Sequence, residues 1–342
     1  MQEKLLNRSS FIRNVTLAGA AFSLPSIFSS VTARNLTTEK RRVGIIGLDT
    51  SHCIALTKLL NAANPSPDFE GYKVIAAYPF GSRDISSSAE RIPEYTEAIK
   101  KYGVEIVPSI DELLKRVDDV LLLTNDGRIH LEQVTPVIKA GKPVYINKPM
   151  AASLKDANAI FEMANQYSVP VFSSSALRYV SNLQEIRSGK SGKVLGADVF
   201  SPAALEKTHP DLFWYGIHGV ESLYTVMGTG CREVVRIHTD GTDMTVGTWD
   251  DGRIGAVRGT RTGKHLYGGT IYTETGDITM GQHEGYTNLL KVITNFFTTG
   301  VIPVSAAETL EIMAFMEAAD LSKQKGGVPV KMEVIFSQLQ TS

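Results

Sequence analysis

From Arg41 onward, short apolar runs alternate with segments whose apolar positions recur every three or four residues. Val43-Gly44-Ile45-Ile46-Gly47 predicts a buried strand, and residues 51–62, with Ala55, Leu56, Leu59 and Leu60 at helical spacing, predict the helix after it. Val74-Ile75-Ala76-Ala77 predicts a second strand, 92–102 a polar helix, and Val104-Glu105-Ile106-Val107 a third strand. A short helix over 111–116 leads to Val120-Leu121-Leu122-Leu123, apolar at every position, as a strand covered on both faces must be. A helix over 130–140 closed by Gly141 and Pro143, a strand over 144–146, a helix over 154–167 and a strand at Val169-Pro170-Val171-Phe172 complete the series. Alternation of this kind predicts an α/β domain, a doubly wound parallel sheet over 34–172.

Beyond Ser173 the texture changes. Met244-Thr245-Val246-Gly247-Thr248-Trp249 and Gly269-Thr270-Ile271-Tyr272-Thr273-Glu274 alternate and are punctuated by Asp-Gly and Thr-Gly turns, which predicts a mostly antiparallel open sheet. Helices are expected over 288–298 and 306–323. Residues 173–342 therefore read as a second, α+β domain for substrate and dimer contacts, since an open sheet favours face-to-face pairing.

Residues 1–33 break the pattern. Lys4, Arg8 and Arg13 precede an uncharged stretch containing Leu17-Ala18-Gly19-Ala20-Ala21-Phe22, and Val31-Thr32-Ala33 supplies small residues for a peptidase, which is the layout of a signal peptide. Asn7-Arg8-Ser9-Ser10-Phe11-Ile12-Arg13 resembles the twin-arginine export motif with Ser9 in place of the second arginine, so export to the periplasm with cleavage near Ala33 is expected. A retained membrane anchor is the alternative, and no stable span is expected after processing.

Composition narrows the partners. Lys plus Arg (35) nearly balances Asp plus Glu (36), so the basic excess that nucleic-acid binding requires is missing. A small-molecule partner is expected. Cys53 and Cys231 have no paired spacing, which argues against a disulfide framework or a cysteine zinc site.

The chemistry concentrates where strands end. The first strand-to-helix turn, Gly47-Leu48-Asp49-Thr50-Ser51-His52, stands where a dinucleotide fingerprint would lie, yet only the first glycine is present; Asp49 and His52 occupy the second and third glycine positions. A carboxylate about 4 Å from a phosphate would cost roughly 4 kcal/mol at an effective dielectric near 20. Asp49 is therefore expected to turn away and cap the helix, leaving the Thr50 and Ser51 amides for a diphosphate, or else the nucleotide has been lost. After the second strand, Phe80-Gly81-Ser82-Arg83 lacks the usual ribose-binding acid; Ser82 and Arg83 could instead serve a 2'-phosphate, so NAD and NADP both stay open.

The order of these motifs resembles the Gfo/Idh/MocA (glucose-fructose oxidoreductase, inositol dehydrogenase and rhizopine-catabolism) family over nearly all of the chain after residue 33. Thr124-Asn125-Asp126-Gly127-Arg128-Ile129-His130 is similar to its strand-end turn and histidine, and Ala140-Gly141-Lys142-Pro143-Val144-Tyr145-Ile146-Asn147-Lys148-Pro149 to its A-G-K-x-V-x-x-E-K-P segment, with Asn147 for the glutamate. The resemblance implies cofactor contacts from Thr124, Asn125, His130, Asn147 and Lys148, and a catalytic role for Lys148. Tyr215-Gly216-Ile217-His218-Gly219-Val220-Glu221 looks like the segment with the family's catalytic histidine, which places His218 as general base. The acid usual four residues earlier is replaced by Trp214, leaving Tyr215 or Asp211 as substitutes. Arg178, His209 and Tyr286 are the candidates for substrate contact. His218, Glu221 and His209 do not make a convincing metal set, so no metal is expected.

The resemblance implies an NAD(P)-dependent dehydrogenase acting on a secondary alcohol of a sugar, glycoside or cyclitol. A glycosidase or lyase that retains NAD and oxidises only transiently is the second reading, and a sugar-binding scaffold without catalysis the third. A homo-oligomer is expected in each case.

Overall fold

The computed structural model describes residues 40–69 and 71–340; the expected signal segment 1–33 and its cleavage point lie outside them. The first strands are β1 (Arg41–Ile46), β2 (Tyr72–Tyr78), β3 (Glu105–Ile106), β4 (Asp119–Leu122), β5 (Val144–Asn147) and β6 (Val171–Ser174). They form one six-stranded sheet in the order β3-β2-β1-β4-β5-β6, with every neighbouring pair parallel. The strand order turns back between β1 and β4, the place where an open α/β sheet leaves a crevice at its carboxyl edge. Residues of β4, β5 and β6 are buried throughout, apolar for most of their length with Asp119 opening β4 and Asn147, Ser173 and Ser174 at the carboxyl ends of β5 and β6.

The helices of this half are α1 (Ser51–Leu60), α2 (Ser86–Ala89), α3 (Ile92–Lys100), α4 (Ile110–Leu114), α5 (His130–Lys139) and α6 (Leu154–Gln166). Ser109 and Ser153 cap α4 and α6 by accepting from Glu112 N and Asp156 N. The start of α1 is different: its N-cap Thr50 makes no side-chain cap bond. Gly47 ends β1 at φ +86°, and a Cβ there would run into Thr124, so the tight turn requires glycine.

The second half contains α7 (Ser181–Arg187), β7 (Val194–Pro202), α8 (Ile217–Met227), β8 (Cys231–Thr239), β9 (Thr242–Trp249), β10 (Ile254–Thr260), β11 (Gly268–Thr273), β12 (Gly276–Thr279), α9 (Thr287–Thr299), α10 (Ala306–Gln324), β13 (Val330–Lys331) and α11 (Met332–Ser337). Its seven strands run β12-β11-β7-β10-β9-β8-β13. Only β7 and β10 pair in parallel; the other pairs are antiparallel. A single-turn π-helix at Leu212–Gly216 precedes α8.

The late helices return to the first sheet. Leu289, Leu290, Ile293, Phe296 and Phe297 of α9 share a core with Val43, Ile45, Leu56 and Phe172. Tyr72 donates its hydroxyl hydrogen to the Thr294 carbonyl at 2.9 Å, and the Phe172 and Phe296 rings meet edge to face at 4.8 Å. On the opposite face, Glu317 of α10 accepts from Leu154 N at 2.7 Å. Among the described residues no helix is long and apolar enough to cross a membrane.

Candidate active site

Three strand ends build the crevice. The turn after β1 sends the Asp49 side chain inward, where it is fully buried. One carboxylate oxygen accepts from Ser82 N and Ser82 Oγ, both at 2.7 Å, and the other from Asn125 N at 3.0 Å. Asp49 does turn away from the helix start, but it does not cap it. Backbone amides beyond β2 and β4 outbid the helix, because one carboxylate can satisfy both loops with charge-assisted bonds. The loop after β2 is held further across the edge by Gln133 Nε2, which donates to the Phe80 carbonyl at 3.0 Å. A Cβ at Gly81 would run into the Asp49 carboxylate.

On one side of Asp49 lies a cavity of ≈ 480 Å³ lined by Tyr78, Phe80, Ser82, Arg83, Ile92 and Ile110, among others. Arg83 is drawn to Glu132 at 3.2 Å across its rim. On the other side lies a cleft of ≈ 150 Å³, and here the two halves of the chain meet: Thr50, Ser51, His52, Asn125 and Lys148 come from the first, Tyr215, His218, Tyr267, His283 and Tyr286 from the second.

Each side chain in the cleft has a local cause. Lys148 ends the β5 text and is 6% exposed; its ammonium lies over the Tyr215 ring, 5.9 Å from the centroid. Burial pulls its pKa down to about 8, against the attraction of Glu221 and Asp49. His218, in the first turn of α8, sets Nδ1 2.7 Å from Ser175 Oγ. Burial and the neighbouring Lys148, His52 and His283 hold its pKa well below the usual imidazole range, so it is neutral and able to accept a proton. His52 places Nδ1 3.0 Å from Asn147 Oδ1; burial, then Lys148, lowers it to about 3 despite that bond. A neutral His52 facing an amide oxygen must donate from Nδ1, which leaves Nε2 with a lone pair.

Aromatic contacts join these groups into a collar. His52 meets Tyr286 at 4.7 Å, Tyr286 meets His283 at 5.5 Å, His283 meets Tyr267 at 6.4 Å, Tyr267 meets His218 at 5.8 Å, and His218 meets Tyr215 at 5.2 Å. Tyr267, His283 and Arg91, which also lines the cleft, are absent from the sequence expectations because they lie on connections without periodicity. Gly281-Gln282-His283-Glu284-Gly285-Tyr286, a histidine and tyrosine between glycines just before a helix, was a usable signal for one of them.

Other expected site residues sit elsewhere. Arg178 is buried, donating to Glu221 at 2.8 Å and Glu308 at 2.6 Å, and a guanidinium so engaged is a structural tie. Glu221 accepts as well from Ser174 Oγ and Ser175 N, both at 2.8 Å, so it fixes the β6 exit beneath the cleft. His130 has both ring nitrogens against carbonyls, Thr124 at 2.8 Å and Met150 at 3.1 Å, and holds the turn after β4 from below. Thr124 is buried with its hydroxyl on Gln133, and Gly47 lies beneath Thr124. His209 is 3.2 Å from Asp126 and meets the Trp214 ring at a tilt, with centroids 5.0 Å apart, outside the cleft lining. Asp211 pairs with Arg236 at 2.9 Å and Lys323 at 2.5 Å and so does not replace the missing acid. Among the described residues no group of three His, Cys, Asp or Glu side chains is placed to hold a metal.

Residues 41–175 match the sequence pattern of the Gfo/Idh/MocA oxidoreductase family, described by its NAD-binding Rossmann fold. A 1,5-anhydro-D-fructose reductase of Ensifer adhaerens is 30% identical over 122 residues, which span 34% of this chain and 36% of the relative, so the match covers about a third of that protein's length. A probable dehydrogenase of Thermotoga maritima superposes with a TM-score of 0.70 at 19% identity, over 86% of this chain and 99% of that one. The scyllo-inositol dehydrogenase of Lactobacillus casei, solved with NAD(H) and scyllo-inositol, gives 0.68 at 16% identity over 86% of this chain and all of that one. At such identities the likeness concerns the fold. The sequence match is confined to residues 41–175, and that segment is similar to the NAD-binding Rossmann domain of the Gfo/Idh/MocA oxidoreductase family.

Proposed function

We propose that this protein is an NAD(P)-dependent dehydrogenase acting on a secondary alcohol of a sugar or cyclitol. The observation that carries the reading is the convergence of Lys148 and His218, one from each half, in a single collar of tyrosines and histidines. The chain offers fitting residues for both ends of a dinucleotide: the cavity beside Phe80, Ser82 and Arg83 for the adenosine end, and the uncapped start of α1 at Thr50 and Ser51 for phosphate, where helix amides lack intrahelical partners. Between them stands the Asp49 carboxylate. A bound nicotinamide nucleotide supplies the hydride acceptor or donor.

The protein's own groups handle the proton. Lys148, largely protonated at neutral pH with its pKa near 8, stabilises negative charge developing on the reacting oxygen. The neutral His218 accepts the hydroxyl proton, and Ser175 beside Nδ1 orients its ring. Tyr215, Tyr267 and Tyr286 present rings and hydroxyls suited to a polyol. Denaturing the purified protein and assaying released nucleotide, followed by NAD and NADP titration of the emptied protein, tests the reading; no binding of either would remove it.

Two further expectations stand as proposals. Export rests on the text of residues 1–33 and is tested by the N-terminus of protein recovered from the periplasm. Pairing through the second sheet is supported by Phe200, Ile237, Ile254 and Tyr272, which lie exposed on one face of it by strand register, and is tested by the mass in solution.

A further inference from the structure

The cleft is lopsided in charge. Lys148 and Arg91 line it together with three histidines and three tyrosines, and no aspartate or glutamate is among its lining residues. Among the described residues neither cation has a carboxylate at ion-pair distance, and Lys148 is 6% exposed. A buried ammonium without a counter-ion is unfavourable, and proteins tolerate one where a ligand completes the pair.

The carboxylates nearest the cleft are already engaged. Glu221, which acts on Lys148 from beneath, is held by Arg178, Ser174 and Ser175. Asp49 acts on Lys148 too, but it is bonded to Ser82 and Asn125. Glu284, which acts on His283, accepts from Ser181 and Asn288. What opens to a ligand therefore carries two cations and no carboxylate. Its ≈ 150 Å³ suits one hexose-sized molecule.

We propose that the alcohol oxidised or formed in this cleft carries an oxoanion group, so that the substrate is a sugar acid or sugar phosphate of monosaccharide size, its anion held by Arg91 and Lys148. The inference rests on the dehydrogenase reading for the reaction, but the anion preference stands on the lining alone. Arg91, at the exposed rim, offers a planar fork for carboxylate or phosphate, while Lys148 supplies a compact charge further in. The tyrosine and histidine rings cover the remaining faces of the sugar.

Calorimetric titration of the full chain with matched pairs tests this: D-glucuronate against D-glucose, D-galacturonate against D-galactose, and glucose 6-phosphate against both, each with and without NAD. At pH 7 at least one anionic member should bind about tenfold or more tighter than its neutral partner. Preference for the uronates assigns a carboxylate, and preference for the phosphate ester assigns a phosphate. Arg91→Ala should shrink the ratio to about threefold or less, and the ratio should fall again as the pH passes about 8 and Lys148 loses its proton. Neutral sugars binding as well as every anionic partner would overturn the inference. So would an Arg91→Ala protein that keeps the ratio but loses affinity for NAD, since the arginine would then serve the cofactor. An intact anion preference in a protein that binds no nucleotide would instead remove the dehydrogenase reading and leave this one standing.

Discussion

The two cavities on either side of Asp49 are made differently. The larger is lined from one half of the chain alone, by the ends of β2 and the helices beside it, and its arginine is already balanced by Glu132 at an exposed rim. The smaller takes its lining from both halves and leaves its cations unbalanced. A site whose charges are satisfied at rest can hold a ligand by shape and hydrogen bonds. A site with a buried, unpaired ammonium is under electrostatic stress that a reacting oxygen or an anion relieves. The Asp49 carboxylate lines neither: it ties the loop after β2, which borders the larger space, to the loop after β4, which borders the smaller.

The most severe way to break this contrast is Lys148→Met, which removes the unpaired charge and keeps the bulk. Turnover should fall by about a thousandfold while nucleotide affinity stays within about tenfold, measured by steady-state rates and titration. The same variant should be more stable than the parent at pH 7. A pKa lowered from 10.5 to about 8 by folding represents at most about 3 kcal/mol of lost stability, fully present below pH 8. Because the unfolded chain holds that proton up to its ordinary pKa, the parent regains stability as the pH rises from about 8 towards 10.5, and denaturant midpoints of the two proteins should converge there. For the same reason kcat/KM of the parent should decline as pH rises through about 8.

Asp49→Gly sharpens the contrast by removing the tie between the loops. It frees the Ser82 and Asn125 amides for a phosphate, and NAD affinity should rise by about tenfold, while an unchanged or lower affinity in titration would mean that the carboxylate does not compete with a phosphate for those amides. The smallest effect is expected for Gly81→Ala. Its methyl group meets the Asp49 carboxylate and should cost about 1 kcal/mol in the parent but little in the Asp49→Gly protein, a coupling that a double-mutant cycle in denaturant would measure.

The order of strands in the first half was legible because buried strands leave unbroken apolar runs, and Val120 to Leu123 could hardly be anything else. Lys148, His218, Tyr215 and Tyr286 were legible through local text and do line one cleft. The fate of Arg178 and His130 was not, because whether a polar side chain meets a ligand or a buried partner depends on residues far along the chain: Arg178 finds Glu308, and His130 finds Met150. The same holds for the departures from the family text. Asp49 stands at the second glycine position and Ser82 follows β2 where the ribose acid is missing; the two are hydrogen-bonded. His52 stands at the third glycine position and Asn147 where the glutamate is missing; they too are partners, at 3.0 Å. Read singly, each change looks like the loss of a function. Paired across 33 and 95 positions, each departure meets another in a hydrogen bond.

The seat of α9 on the first sheet also governs how the molecule can be taken apart. Cutting the chain after residue 172 would strip Leu289, Ile293, Phe296 and Phe297 from Val43, Ile45 and Leu56, and leave the Tyr72 hydroxyl without Thr294. The amino-terminal piece would present a bare greasy flank and aggregate on expression, whereas supplying the remaining chain as a separate polypeptide should rescue it. Heating the intact protein should accordingly give one melting event for both sheets, because neither keeps a complete interior once the other has come undone.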